Sequence, residues 1–176
     1  MQLSTTIRPV TSDDAAIIAE VGRRSFIESH GRSAPAADIE SYVSRKYSLA
    51  ALTTELQNPR NIYHLIYCND RPAGFSKMVL NARNENVAAQ NIATLDRIYL
   101  LREFYGQGLG LRLFLHNVNI AKESGQAGMW LYTWIENKRA IAFYQKAGFK
   151  IIGSADFAIS ETHSNPNHVM YLQFHP

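Results

Sequence analysis

The apolar run Leu95-Asp96-Arg97-Ile98-Tyr99-Leu100-Leu101 leads through Arg102-Glu103-Phe104 into Tyr105-Gly106-Gln107-Gly108-Leu109-Gly110-Leu111, where every second residue after the tyrosine is glycine. Leu111, Phe114, Leu115, Val118 and Ala121 then recur at helical spacing, so the glycines stand where a strand hands over to a helix. The first N–H groups of a helix have no intrahelical partner. The macrodipole adds partial positive charge there, so backbone alone can hold a pyrophosphate. Residues without a Cβ let that backbone approach the anion closely. One glycine pair at a helix start is an ordinary tight turn, whereas three alternating glycines favour anion binding. Tyr105, Gly106, Gln107, Gly108, Leu109, Gly110 and Leu111 are the expected contacts.

Spacing narrows the ligand. A Walker loop requires Lys-Ser or Lys-Thr after its last glycine, and Gly110 is followed by Leu111-Arg112. A dinucleotide fingerprint requires a third small residue where Leu111 stands and an acid about 20 positions on, where the chain has Ala127, Gly128, Met129 and Trp130. The stretch instead resembles the acetyl-CoA loop of the GNAT N-acetyltransferases: Arg or Gln, two residues, Gly, one residue, then Gly or Ala. Gly108 and Gly110 match it, and Tyr105 stands at the Arg or Gln position. That family side chain mostly supports a loop whose backbone does the binding.

A second motif follows the apolar run Met129-Trp130-Leu131-Tyr132-Thr133-Trp134. It reads Asn137-Lys138-Arg139-Ala140-Ile141-Ala142-Phe143-Tyr144-Gln145-Lys146-Ala147-Gly148-Phe149 and resembles the GNAT signature of Asn, Ala, Phe-Tyr, then Gly-Phe. Asn137 and Tyr144 are seven residues apart, close to two helical turns, so a helix projects both from one face. Gly148 ends that helix as a left-handed cap, and Phe149 opens the next strand. Taken singly, Asn137 reads as an N-cap and Tyr144 as a core aromatic. With the glycine loop upstream, both read as structural and functional together.

The resemblance implies transfer of an acetyl group from acetyl-CoA to a primary amine of a small molecule, with polyamines among the candidates. CoA carries the activated acyl group, so the protein supplies binding, orientation and electrostatics. On the family's pattern Tyr144 protonates the departing sulfur, and Asn137 and Tyr144 both contact the co-substrate. Main-chain groups of Ile98, Tyr99 and Leu100 hold the pantetheine arm like an added strand, and an N–H there polarises the thioester carbonyl. Asp96 shares a strand face with Ile98 and Leu100 at period two, where some relatives place a general-base Glu. It is the candidate base. An ion pair with Arg97 is its competing role, and water relays replace a fixed base in many relatives. A non-catalytic CoA-binding module and a protein or peptide N-acetyltransferase are the alternatives; Tyr144 argues against the first.

Composition fits this chemistry. At 176 residues and 46% hydrophobic content, the chain reads as a single domain, 1–176, with a real core. Cys68, the single cysteine, can form neither an internal disulfide nor a cysteine pair for zinc. The six histidines are scattered without an i, i+4 pair, so no metal is expected. Met1 to Thr6 lack the charged and apolar regions of a signal peptide, and no apolar run approaches membrane-spanning length. A cytoplasmic protein without a membrane partner is expected. A net charge of +3 with no dense basic block gives no nucleic-acid partner. A homodimer is held open.

These groups need a scaffold. Thr5 to Val10 reads as a strand, and Thr11 or Ser12 caps a helix with the stripe Ala15, Ile18, Ala19 and Phe26, broken at Gly31 to Pro35. A second helix carries Ile39, Tyr42 and Val43; a third, from about Ser48, carries Leu52 and Leu56 until Asn58-Pro59. Ile62 to Cys68 and Ala73 to Leu80 form a hairpin around Asn69-Asp70, with Asn81 to Gln90 as a polar surface loop. The expected order is β, helices, β, β, β, α, β, α, β, β. It makes a mixed α/β (α+β) fold with a central, mostly antiparallel sheet flanked by helices. In GNAT proteins that sheet splays between the strands at Ile98 and Leu131 to admit the co-substrate.

Within the superfamily the chain resembles the bacterial spermidine/spermine N-acetyltransferases of the PaiA type over nearly its whole length. Ser25-Phe26-Ile27-Glu28, Arg97-Ile98-Tyr99, Trp130-Leu131 and Trp134 carry the likeness. Two departures bear on the acceptor. Where the family tends to read Trp-Glu-x-Asn, this chain has Trp134-Ile135-Glu136-Asn137, which moves the acid by one residue and, in a strand, to the other face. The family's C-terminal acidic stretch ending in Asp is replaced by Glu161-Thr162-His163-Ser164-Asn165-Pro166-Asn167. A polycation site wants carboxylates, so an amine of lower charge than spermidine is expected.

Overall fold

The computed structural model describes residues 4–174; Met1–Leu3, part of the stretch read as lacking a leader, lie outside the described residues. Strands β1 (Thr5–Pro9), β2 (Asn61–Cys68), β3 (Arg71–Val79), β4 (Ile92–Leu100), β5 (Gly128–Trp134), β6 (Lys150–Ala158) and β7 (Ser164–Gln173) form one sheet. Their order is β1-β2-β3-β4-β5-β7-β6. Every neighbouring pair is antiparallel except β4 and β5. Five α-helices flank it: α1 (Ala15–His30), α2 (Ala36–Lys46), α3 (Leu49–Gln57), α4 (Leu109–Glu123) and α5 (Lys138–Lys146).

Local chemistry explains the joints. Asn69 and Asp70 take φ of 48° and 62° between β2 and β3, a left-handed pair that these short polar side chains tolerate in a tight hairpin. Ser48 caps α3 by accepting the Ala51 N–H at 3.1 Å. The start of α1 departs from expectation, because a 3-10 turn at Ser12–Asp14 precedes it. There the Asp14 carboxylate accepts the Thr11 N–H at 2.8 Å and the Thr11 hydroxyl at 3.1 Å. Asp14 is also held at 2.6 Å by Arg8 of β1, and that ion pair fixes where the helix begins.

Two large apolar clusters fill most of the interior, beside a small one of Ile92, Trp130 and Val169. One joins Ile18, Val43 and Leu52 of α1–α3 to Leu65 and Phe75 of the β2–β3 hairpin; the other joins α4 and α5 to Met78, Leu95, Leu131 and Met170. Between them the sheet opens. β4 and β5 pair only from Ile92 to Thr94 with Gly128 to Trp130. Beyond that point β4 stays with β3 as far as Leu100, and β5 stays with β7 as far as Trp134. A bulge marks the parting: Lys77 faces Arg97 and Met78 faces Leu95, so Asp96 is the extra residue. The period-two argument that put Asp96 on the face of Ile98 and Leu100 therefore does not hold across this position. Among the described residues no helix is long and apolar enough to cross a membrane, and no group of three or more His, Cys, Asp and Glu could hold a metal.

Candidate functional site

A cavity of about 770 Å³ occupies the gap between β4 and β5. At one end stands the glycine loop. Gly108, with φ +75°, is the N-cap of α4, and Gly106 has φ +77°. A Cβ at either would meet nothing within 4 Å, so what these two positions require is the left-handed backbone itself. Gly110 differs: it is helical, lines the cavity, and a Cβ there would lie 3.4 Å from Leu100 Cδ1. Of the expected loop contacts, only the Tyr105 and Gly110 positions line the cavity. Leu109 is buried in the core and Leu111 is exposed. Gln107 braces the loop, donating to the Glu103 carbonyl at 3.2 Å and accepting the Cys68 thiol at 3.7 Å.

The sequence reading missed what Tyr105 does. Its ring carries the Arg139 guanidinium at 3.7 Å, a cation from the first turn of α5. Both residues line the cavity, and Arg139 has no carboxylate partner among the described residues. The two are far apart in sequence, so only the docking of α5 beside the loop could reveal the pair.

The long wall is β4. Leu101 donates its N–H to Ala73 of β3 at 2.9 Å, and backbone direction alternates along a strand, so Ile98 and Leu100 turn their N–H and C=O groups away from β3. With β5 gone, that edge faces the cavity, and Ile98, Tyr99 and Leu100 all line it. Across from it, Asn137 caps α5 by accepting the Ala140 N–H at 3.2 Å, and Tyr144 lies farther along the same helix. Both reach the cavity as their spacing predicts. Phe114, Phe143 and Phe149 pack around the Tyr144 ring. Burial raises its pKa, and its hydroxyl takes part in none of the hydrogen bonds among the described residues. It is a protonated donor facing open volume.

The other end holds groups that the sequence did not single out. His30 stacks on Phe26 at 4.9 Å and meets Trp134 at 5.9 Å, and burial pushes its imidazole down to about 4. It is neutral there. Glu55 of α3 accepts from Arg97 at 3.1 Å and from Lys77 at 3.2 Å. Burial works to raise the Glu55 carboxyl, but Arg97, the Tyr63 hydroxyl and Lys77 outweigh it and hold it down to about 2. Asp96 lies 3.0 Å from Lys77 and 3.8 Å from Arg97, its side chain 42% exposed and lining the cavity. It thus has both an ion-pair role, mainly toward Lys77, and access to the site. Glu136 is exposed in the turn after Trp134 and does not line the cavity; the strand ends before it, so a turn and not strand alternation removes the acid. Asn167 faces Trp134 across β5 and β7 and lines the open end.

A model of the acetyltransferase (GNAT) family matches residues 24–149. The spermidine N(1)-acetyltransferase of Thermoplasma acidophilum is 28% identical over 149 residues, covering 85% of this chain and 90% of that protein. The crystal structure of the PaiA N-acetyltransferase of Thermoplasma acidophilum in complex with coenzyme A superposes with a TM-score of 0.79 at 25% identity, over 97% of this chain and 99% of that one. The ribosomal-protein-S18-alanine N-acetyltransferase of Escherichia coli shares the fold, with a TM-score of 0.70 at 20% identity over 97% of this chain and 94% of that one.

Proposed function

The chain belongs to the GNAT acetyltransferases and is an acetyl-CoA-dependent N-acetyltransferase, and from that premise we propose how its residues share the work. The pyrophosphate of acetyl-CoA lies on the first N–H groups of α4, with Gly110 leaving room and Arg139 adding charge. The pantetheine arm runs along the free edge of β4, taking the place of a pairing strand. This puts the thioester between the Ile98 and Leu100 main chain and the Tyr144 hydroxyl. The observation that carries the reading is that unpartnered hydroxyl, facing an unpaired strand edge across a cavity that ends at a helix N-terminus.

The acceptor amine attacks the thioester carbonyl with its lone pair. A C–N bond forms and the C–S bond breaks, nitrogen gives up one proton, and sulfur takes one. Tyr144 donates the proton to sulfur and regains one from solvent. Asp96, exposed to the cavity, receives the proton from nitrogen, directly or through water. The acceptor is a small-molecule primary amine; the spermidine activity named for the Thermoplasma relative supports that class. Spermidine itself is expected to be a poor acceptor here, since Glu136 does not reach the cavity and Asn167 stands where the family's acidic stretch ends. A cytoplasmic location fits a substrate delivered on CoA and a single, buried cysteine. Release of free thiol from acetyl-CoA across an amine panel tests the reading. Turnover with at least one amine is expected, and cofactor binding without turnover for any amine or peptide would sink it.

A further inference from the structure

Five cations and three carboxylates line the cavity: Lys46, Lys77, Arg97, Arg102 and Arg139 against Glu28, Glu55 and Asp96. None of the carboxylates is free. Glu28 holds Arg24 at 3.2 Å and the Arg102 N–H at 2.7 Å. Glu55 is shared by Arg97 and Lys77, and Asp96 lies 3.0 Å from Lys77. Three of the cations have no carboxylate on their charged group among the described residues: Arg102, whose guanidinium donates to the Glu28 main-chain carbonyl, and Arg139 and Lys46, which have no ion-pair or hydrogen-bond partner there at all. Arg139 stands at the loop end on Tyr105, where the co-substrate's phosphates answer it. Lys46 is the last residue of α2, one turn from Tyr42, and lines the cavity from that helix.

The cavity wall that α2 contributes beside Lys46 is aromatic. Tyr42 stacks on Phe26 at 4.7 Å and meets Phe157 at 6.1 Å. Asn165, which also lines the cavity, is engaged within the protein: it donates to Ser33 Oγ at 2.7 Å, and His163 bonds the Ser33 carbonyl at 2.8 Å. His30 brings no charge. Lys46, a partly buried residue on the cavity wall, thus has no carboxylate to neutralise it among the described residues, and an unpaired cation becomes costly once a ligand displaces its water.

Resting on the acetyltransferase reading, we propose that the acceptor is an amine that also bears a carboxylate, an amino-acid-type acceptor whose carboxylate pairs with Lys46 while its apolar part lies among Phe26, Tyr42 and Phe157. The amine of such a molecule is directed toward β4 and Tyr144, and the molecule has no net positive charge to be repelled by the surplus of cations. A polyamine would meet the opposite: no free carboxylate and an unpaired lysine.

Matched pairs test this with the full chain. The kcat/KM for free aromatic and aliphatic amino acids is compared with that for their decarboxylated amines, carboxamides and spermidine. Each acid should exceed its decarboxylated partner by about tenfold or more, the worth of one charge-assisted hydrogen bond. That ratio should collapse in Lys46→Gln and return in Lys46→Arg, whereas Lys46→Glu should reverse it. A wild-type preference for the decarboxylated amine or spermidine, or a ratio unchanged in Lys46→Gln, would overturn the acceptor inference while acetyl transfer stands. No thiol release with any amine would overturn the acetyltransferase reading and the inference with it.

Discussion

Tyr144 combines a buried ring with a hydroxyl that hydrogen-bonds to nothing among the described residues. Tyr144→Phe keeps the packing against Phe114, Phe143 and Phe149, so the fold and acetyl-CoA affinity should survive while kcat falls by roughly 10²-fold, the scale of a positioned acid. Near wild-type kcat would show that solvent protonates the thiolate. The glycines separate by role in the same way. Gly108 sits at φ +75°, and Gly108→Ala should cost about 1 kcal/mol of stability by urea denaturation, with the loop otherwise free of clashes. Gly110 is helical and faces the cavity, so Gly110→Val should leave the midpoint nearly unchanged and raise KM for acetyl-CoA far more than KM for the amine. Equal shifts in both KM values would detach Gly110 from the co-substrate.

Among the elements, α3, β3 and β4 meet in one charged cluster, with Arg97 at its centre. The Arg97 side chain is only 10% exposed, so its charge depends on Glu55. Breaking a buried pair from one side leaves an uncompensated ion, and Glu55→Ala should destabilise the protein by about 3 kcal/mol or more. A change under about 1 kcal/mol in the unfolding free energy would mean that Asp96 alone can balance both cations. At α5 the cap and the site coincide. Asn137 holds the first turn, from which Arg139 reaches Tyr105, so Asn137 matters to the co-substrate through geometry as well as contact.

For the molecule as a whole, acid should lower stability over two successive pH windows. His30 and His64 are pushed down to about 4 from an ordinary 6.5 by burial, so the unfolded chain binds more protons than the folded one between those values. Stability therefore falls as pH drops through that window. Asp14, held down to about 2 chiefly by its hydrogen bond with Arg8, and Glu55, held down to about 2 against burial chiefly by the Arg97 charge, then withdraw theirs as pH falls from about 4 toward 2. Urea midpoints measured from pH 7 to 3 should decline throughout. A plateau from pH 6.5 to 4.5 would contradict the burial of two neutral imidazoles.

Local rules made much of this legible in sequence. Alternating glycines before an amphipathic run marked the N-terminus of α4, Asn137 and Tyr144 at two-turn spacing fell on one cavity-facing side, and Asn69-Asp70 placed the hairpin. Each depends on bond geometry and near neighbours, which a short stretch of chain already contains. Other features arose only where distant segments meet. The bulge at Asp96 exists because β3 and β4 differ in length by one residue across their pairing, and alternation alone cannot show it. Whether an acid is free is equally a tertiary matter, since Glu55, Lys77, Asp96 and Arg97 come from three elements and neutralise one another. Arg139 on Tyr105 and Lys46 without a carboxylate were decided the same way. The sequence determined which groups could bind and transfer an acyl unit; the packing of strands and helices decided which charges were left over to choose the acceptor.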